Sequence, residues 1–254
     1  MSASIGPALA AIAEEAAALV RPLFRTGLAV ARKADESPVT VADQQAERLI
    51  LARLAERFPD VPVIAEEHAA DNGVPGAAAA RFFLVDPLDG TKAFVRGTQH
   101  WTVNIGLVEG GAPVAGAVVQ PVTGEAWFTT AAGAAKRDAP GAPDRPIAVR
   151  TPPPCGALAL ISLTVKDEQE RWLAGEYGYA RVERMDSSVK FCRIAEGSAD
   201  LYPRHGPTME WDTAAADAVL RAAGGAVRTL DGDLLAYGKA DRGFLNPSFV
   251  ARGR

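Results

Sequence analysis

Phe82-Phe83-Leu84-Val85-Asp86-Pro87-Leu88-Asp89-Gly90-Thr91 joins an apolar run to two carboxylates three residues apart. The run reads as a buried strand, and Asp, Pro and Gly after it read as a tight turn at the strand's end. A hard divalent cation takes oxygen ligands, and this turn offers the Asp86 carboxylate, the Leu88 carbonyl and the Asp89 carboxylate together. The same residues also compose an ordinary turn. Taken alone, the stretch leaves both readings open.

Elements on either side alternate between helix and strand. Ile5, Leu9, Ile12, Ala16, Leu19 and Leu23 recur at helical spacing and predict an amphipathic first helix that stops near Gly27. Ser37-Pro38-Val39-Thr40 predicts a turn into a second helix, with Leu49, Ile50 and Leu54 inward and Pro59 beyond its end. Residues 61–65 predict a strand running into Glu66-Glu67-His68, and a polar, Ala-rich loop follows over 69–80. An antiparallel meander is expected over 101–108, 113–120 and 125–130, with turns at Gly110-Gly111 and Thr123-Gly124. The proline-rich stretch 138–154 predicts a long connection without a strand. Beyond it come a strand (157–162), helices (167–174 and 187–197), a short strand (200–202) and a helix over 212–223 closed by Gly224-Gly225. This interleaving predicts one mixed α/β domain over 1–254, in layers, with lobes of about 1–137 and 138–254.

Bulk properties narrow the function classes. At 254 residues, 48% hydrophobic and 23% charged, the composition is that of an ordinary globular protein. A net charge of −4 argues against a general nucleic-acid binder. Two cysteines, Cys155 and Cys192, argue against a disulfide framework and point to a reducing cytoplasm. No apolar run has the length of a membrane span, and no signal peptide is expected.

Four carboxylate-rich points fall at the ends of elements: Asp43, Glu66-Glu67, Asp86/Asp89 and Asp212. Each has a purely structural alternative. Thr40 and Asp43 could form a capping box, Glu66 and Glu67 a solvated strand end, and Asp212 an N-cap worth about 0.5–2 kcal/mol. Together the alternatives weaken, because strongly apolar neighbouring strands bring Glu66 and Asp86 to one rim of a sheet. Several carboxylates there would repel one another without a cation. Divalent cations also supply the chemistry that displaces phosphate.

Asp86-Pro87-Leu88-Asp89-Gly90-Thr91, Glu66-Glu67 and Trp211-Asp212-Thr213-Ala214-Ala215 resemble the three signatures of the inositol monophosphatase superfamily of lithium-sensitive, magnesium-dependent phosphatases. The likeness continues through Ser37 to Asp43, Trp101 to Ile105, Ser187 to Cys192, Leu201 to Arg204 and Phe244 to Pro247. That pattern resembles the CysQ branch, the 3'(2'),5'-bisphosphate nucleotidases, over nearly the whole chain. The resemblance implies the layered α-β-α-β-α sugar-phosphatase fold and two to three Mg2+ ions. Glu66, Asp86 and the Leu88 carbonyl would hold one, Asp86, Asp89 and Asp212 the second, and Glu66 a weaker third. Asp43 and Thr91 would position and deprotonate the attacking water, with no covalent phosphoenzyme. Gly90 and Thr91 would offer backbone N–H groups to phosphate, and Glu67 would support Glu66. Ser187, Lys190 and Arg204 match positions that contact nucleotide; solvated surface charge is the alternative for Lys190 and Arg204.

By the same resemblance the substrate is 3'-phosphoadenosine 5'-phosphate, hydrolysed to AMP and phosphate in sulfate assimilation. The alternatives are an inositol-1-phosphate or other sugar-phosphate phosphatase, and a non-catalytic metal- or nucleotide-binding protein. The resemblance also leaves room for a homodimer and for peripheral association with the inner membrane. Three places depart from the pattern: Leu163-Thr164-Val165 stand where relatives carry Arg-Ser-His, Asp186 where Gly is common, and Ala216 where Gly is usual. His205, beside Arg204, reads equally as a phosphate contact or as a simply exposed side chain.

Overall fold

A computed structural model describes residues 5–24, 31–32 and 38–254. Gly27 and Ser37 lie outside the described residues. The first helix, α1, is Gly6–Val20, continued by a 3-10 turn over Arg21–Leu23. Strands β1 (Ala31–Arg32) and β2 (Pro38–Val39) pair antiparallel, and α2 follows as Val41–Arg57. Its start carries the capping box read from sequence: Thr40 N–H donates to Asp43 Oδ2 at 2.8 Å, and Ala42 N–H donates to Thr40 Oγ1 at 3.2 Å.

Seven strands then form one sheet in sequential order: β3 (Val63–Ala65), β4 (Arg81–Asp89), β5 (Thr102–Glu109), β6 (Ala112–Gln120), β7 (Glu125–Thr130), β8 (Gly133–Arg137) and β9 (Arg145–Ile147). Two short helices, α3 (Glu66–Asn72) and α4 (Thr91–Val95), precede and follow β4. Only the β3–β4 pair is parallel. The sheet is buried on both faces, and side chains along β4 divide accordingly. Phe83 and Val85 pack with α1 and α2, whereas Phe82 and Leu84 face the opposite core. β9 lies inside the stretch expected to be a connection without a strand. Its three residues are held by register with β8, a long-range pairing that a proline-rich composition does not reveal.

The second sheet has the order β11-β10-β12-β14-β13, from β10 (Leu158–Ile161), β11 (Arg181–Arg184), β12 (Leu201–Arg204), β13 (Ala226–Thr229) and β14 (Phe249–Arg252). On its outer side, α5 (Asp167–Tyr177) flanks a groove with Arg228, Val250 and Arg252, while Phe249 and Ala251 point inward. Between the sheets lie α6 (Val189–Ala195) and α7 (Ala214–Ala222). The layering is therefore helix, sheet, helix, sheet, helix.

α7 rests directly on β5 and β6. A Cβ on Gly116 would meet the Ala215 carbonyl oxygen at 2.2 Å, so only glycine permits this approach. The alanines at 214–216 are the helix's side of the contact. Among the described residues, no helix is long and apolar enough to cross a membrane.

Candidate active site

Strand β4 runs through Asp89 rather than ending at Asp86. Asp86 pairs with Asn104 and Asp89 with Thr102, so three steps on β4 oppose two on β5. This bulge accommodates Pro87, which has no N–H for the ladder. It also turns the Leu88 carbonyl toward Thr91, whose Oγ1 lies 3.2 Å from it. Gly90 follows at φ +95°, a left-handed conformation that reverses the chain into α4. The expected turn is thus a bulge and a left-handed glycine.

Each aspartate is tied by one oxygen to a protein donor. Leu88 N–H donates to Asp86 Oδ1 at 2.9 Å, and Met209 N–H donates to Asp212 Oδ2 at 2.8 Å. Asp89 Oδ2 accepts from Ser188 N–H, from Thr102 Oγ1 at 3.4 Å and from Asn104 Nδ2 at 3.5 Å. Ser188 Oγ in turn donates to Asn104 Oδ1 at 2.8 Å. Neither Asn104 nor Ser188 has a role assigned from sequence, although both stand in motifs that carry the resemblance.

Burial pushes the Asp86 carboxyl well above the usual range, and Glu66, Asp89 and Asp212 push it the same way. Asp212 is raised by burial, then by Asp89 and Glu66. Burial also raises Asp89, opposed by Lys190 and the Ser188 N–H. Four carboxylates thus converge where water is scarce, and each of the three aspartates has one oxygen already anchored. All the donors are hard oxygens. Among the described residues no three such groups stand ready-made in coordination geometry, yet the donor chemistry and the mutual repulsion fit a hard divalent cation.

Asp43 serves both of its readings at once. Oδ2 closes the capping box, accepting from Thr40 Oγ1 at 2.6 Å, while Thr91 Oγ1 donates to Oδ1 at 3.1 Å. Burial raises its pKa against the opposing Thr40 bonds. Glu66 opens α3, a helix within the region expected to be strand end and loop. Its cap comes from a distant side chain: Glu47 of α2 accepts from Glu67 N–H at 2.7 Å and His68 N–H at 2.8 Å. No local sequence signal announces such a cap. Glu67 itself is buried.

A cleft of about 280 Å3 opens above these groups, with Glu66, Asp89, Gly90, Thr91 and Asp212 in its lining. Asp43, Asp86 and Leu88 are almost wholly buried. Ser187, Lys190 and Arg204 also line the cleft, together with Lys92 and Arg96, to which no sequence motif points. Lys190 is only 3% exposed, so it is no solvated surface charge. Its Nζ donates to the Ser187 carbonyl at 2.6 Å and the Met185 carbonyl at 3.3 Å. Burial lowers its pKa to about 8, against the pull of Asp89 and Asp186. Arg204 is held by the Gly206 and Pro207 carbonyls at 3.2 and 2.9 Å. His205 points elsewhere: its Nε2 is 2.7 Å from Tyr177 Oη in the outer groove beside Trp172. Cys192 is buried and Cys155 exposed.

A sequence profile of the inositol monophosphatase family matches residues 3–251. The 3'(2'),5'-bisphosphate nucleotidase CysQ of Salmonella typhimurium is 42% identical over 219 residues, covering 86% of this chain and 87% of that protein. The protein of the same name from Escherichia coli K12 is 41% identical over 224 residues, 87% of each chain. The crystal structure of CysQ from Bacteroides thetaiotaomicron superposes with a TM-score of 0.77 at 33% identity, covering 97% of this chain and 96% of the other.

Proposed function

The chain belongs to the inositol monophosphatase family, and from that premise we propose that it is a metal-dependent phosphatase hydrolysing 3'-phosphoadenosine 5'-phosphate to AMP and phosphate. One observation carries the reading. Asp89, Thr91 and Asp212 share a cleft with the cationic Lys190 and Arg204, and Asp43 and Asp86 lie directly behind. An acidic floor beside a basic wall suits a substrate with one phosphate to lose and another to be held.

Glu66, Asp86 and the Leu88 carbonyl would hold one magnesium ion, Asp86, Asp89 and Asp212 would hold a second, and Glu66 would contribute to a weaker third. Bound there, such cations neutralise phosphate oxygens, lower the pKa of water and stabilise the departing alkoxide. The chain's own groups do the rest. Thr91 Oγ1 donates to Asp43, which leaves its lone pairs to accept a hydrogen bond from the attacking water. As that water attacks in line, its proton moves to Thr91 Oγ1 and the Thr91 hydroxyl proton moves to Asp43. A carboxylate whose pKa is raised by burial is the better proton acceptor. Gly90 and Thr91 present backbone N–H groups to the phosphate, and Lys190 and Arg204 hold the second phosphate.

Phosphate release with magnesium present, measured on 3'-phosphoadenosine 5'-phosphate, inositol 1-phosphate and fructose 1,6-bisphosphate, tests this directly. The nucleotide should give the highest kcat/KM by about tenfold or more. Preference for either sugar phosphate would move the assignment to the sugar-phosphate branch of the same chemistry.

A further inference from the structure

Two of the sequence departures, far apart in the chain, touch each other in the cleft. Asp186 Oδ1 accepts from Ser162 Oγ at 3.2 Å and from Leu163 N–H at 3.4 Å. Ser162 Oγ also lies 3.1 Å from Thr164 Oγ1. Ser162, Thr164 and Asp186 all line the cleft. Among the described residues, no protein hydrogen bond reaches the second Asp186 oxygen.

The backbone beside Asp186 is fixed. Ser187 sits at φ +60°, unusual for a residue with a Cβ. Its carbonyl is held by Lys190 Nζ, and the next N–H, of Ser188, is bound by Asp89. Lys190 bonds two carbonyls and does not neutralise Asp186 through an ion pair. Lys92, Arg96, Lys190 and Arg204 give the cleft cationic lining, and Asp186, Ser162 and Thr164 add a carboxylate and hydroxyls to it.

We propose that Asp186, braced by Ser162 and Thr164, is a specificity-determining residue whose free oxygen accepts a hydrogen bond from a neutral donor of the substrate. A carboxylate marks a free hydroxyl or amine, where an arginine would mark a phosphate. It also repels a second phosphate presented to that side, and so fixes the substrate's orientation. In a nucleoside bisphosphate the donor is either the free ribose hydroxyl or the adenine amine. That naming of the donor rests on the function proposed above.

The test compares the wild-type chain with Asp186→Asn, which keeps an acceptor for Ser162 and Leu163 but turns the free oxygen into an N–H donor. Asp186→Gly is run beside it, with thermal unfolding as a check on folding. Substrates are 3'-phosphoadenosine 5'-phosphate, its 2'-deoxy analogue and its inosine analogue. We expect Asp186→Asn to raise KM for the parent compound about tenfold, with a smaller fall in kcat. One analogue should already carry that penalty with the wild-type chain and be insensitive to the substitution. Insensitivity of the deoxy analogue identifies the ribose hydroxyl, and of the inosine analogue the amine. An equal effect on all three substrates, or none, overturns the proposal. Failure of the wild-type chain to hydrolyse any of them, with inositol 1-phosphate turned over, would be failure of the function assignment instead. Asp186→Asn should then raise KM for inositol 1-phosphate through a ring hydroxyl, and an unchanged KM would overturn the proposal there.

Discussion

Asp89 shows how much a single side chain can be asked to do. One oxygen gathers donors from β5 and from the start of α6, and so joins the two sheets' territories at the cleft. The other is left for the cleft. Asp89→Asn keeps the size and an acceptor for those donors, while an amide is a poor ligand for magnesium. It should lower kcat about 100-fold or more, and should raise the unfolding temperature slightly in chelator because a buried, repelled carboxylate is gone. Steady-state kinetics and thermal unfolding of the variant check both halves. Near wild-type turnover would remove Asp89 from the proposed metal site on this acidic floor. The residues of this floor were legible in the sequence because they fall in short motifs with fixed spacing. Asp186, Lys92 and Glu47 were less so, since their roles depend on what the fold places opposite them. Glu47 in particular, on α2, caps a helix that begins only at Glu66.

Elements are legible where local pattern sets them and obscure where pairing does. The helices at 6–20 and 41–57 and the meander strands follow from periodicity and turn residues. Strands β8, β9, β11, β13 and β14 are short, and their apolar pattern is incomplete. They exist through register with neighbours, as in the Val227–Ala251 pairing that completes the second sheet. A buried ion network fastens one such region to the site. Glu125 on β7 accepts from Lys136 Nζ of β8 at 2.5 Å and from Arg193 of α6 at 2.8 and 3.0 Å. Glu196 accepts from Trp127 Nε1 at 2.9 Å and from Arg193 at 2.8 Å. Burial pushes the Glu125 pKa up, but Arg193 and Lys136 outweigh it and bring it down to about 2. Because the folded pKa lies below the ordinary 4.5, this contribution to stability is complete above about pH 4.5 and is lost as pH falls toward 2. Glu125→Gln should cost about 2 kcal/mol at neutral pH and flatten the loss of stability over that acid range. Urea unfolding at a series of pH values reads the difference. Parallel curves for the two proteins would show that Glu125 ionisation does not contribute to the acid loss of stability.

At the scale of the whole molecule, two sheets and the helices between them bring distant chain segments to one cleft. The fold class was legible because helix and strand patterns alternate along the chain. That the β3 and β4 ends, with Glu66 and Asp86, share one rim was legible from two adjacent apolar strands. That Asp43 and Asp212 join them was legible only through resemblance, because no local pattern carries either to that rim. The structure supplies the physical reason for that convergence. α7 can lie against β5 and β6 because Gly106 and Gly116 have no Cβ, and Asp212 stands just before that helix. The central claim is that this acidic floor acts only when divalent cations neutralise it. Magnesium titration of phosphate release from 3'-phosphoadenosine 5'-phosphate, after treatment of the protein with chelator, tests it most directly. The account predicts no release in chelator and a saturable return of activity as magnesium is added. Undiminished release in chelator would contradict it.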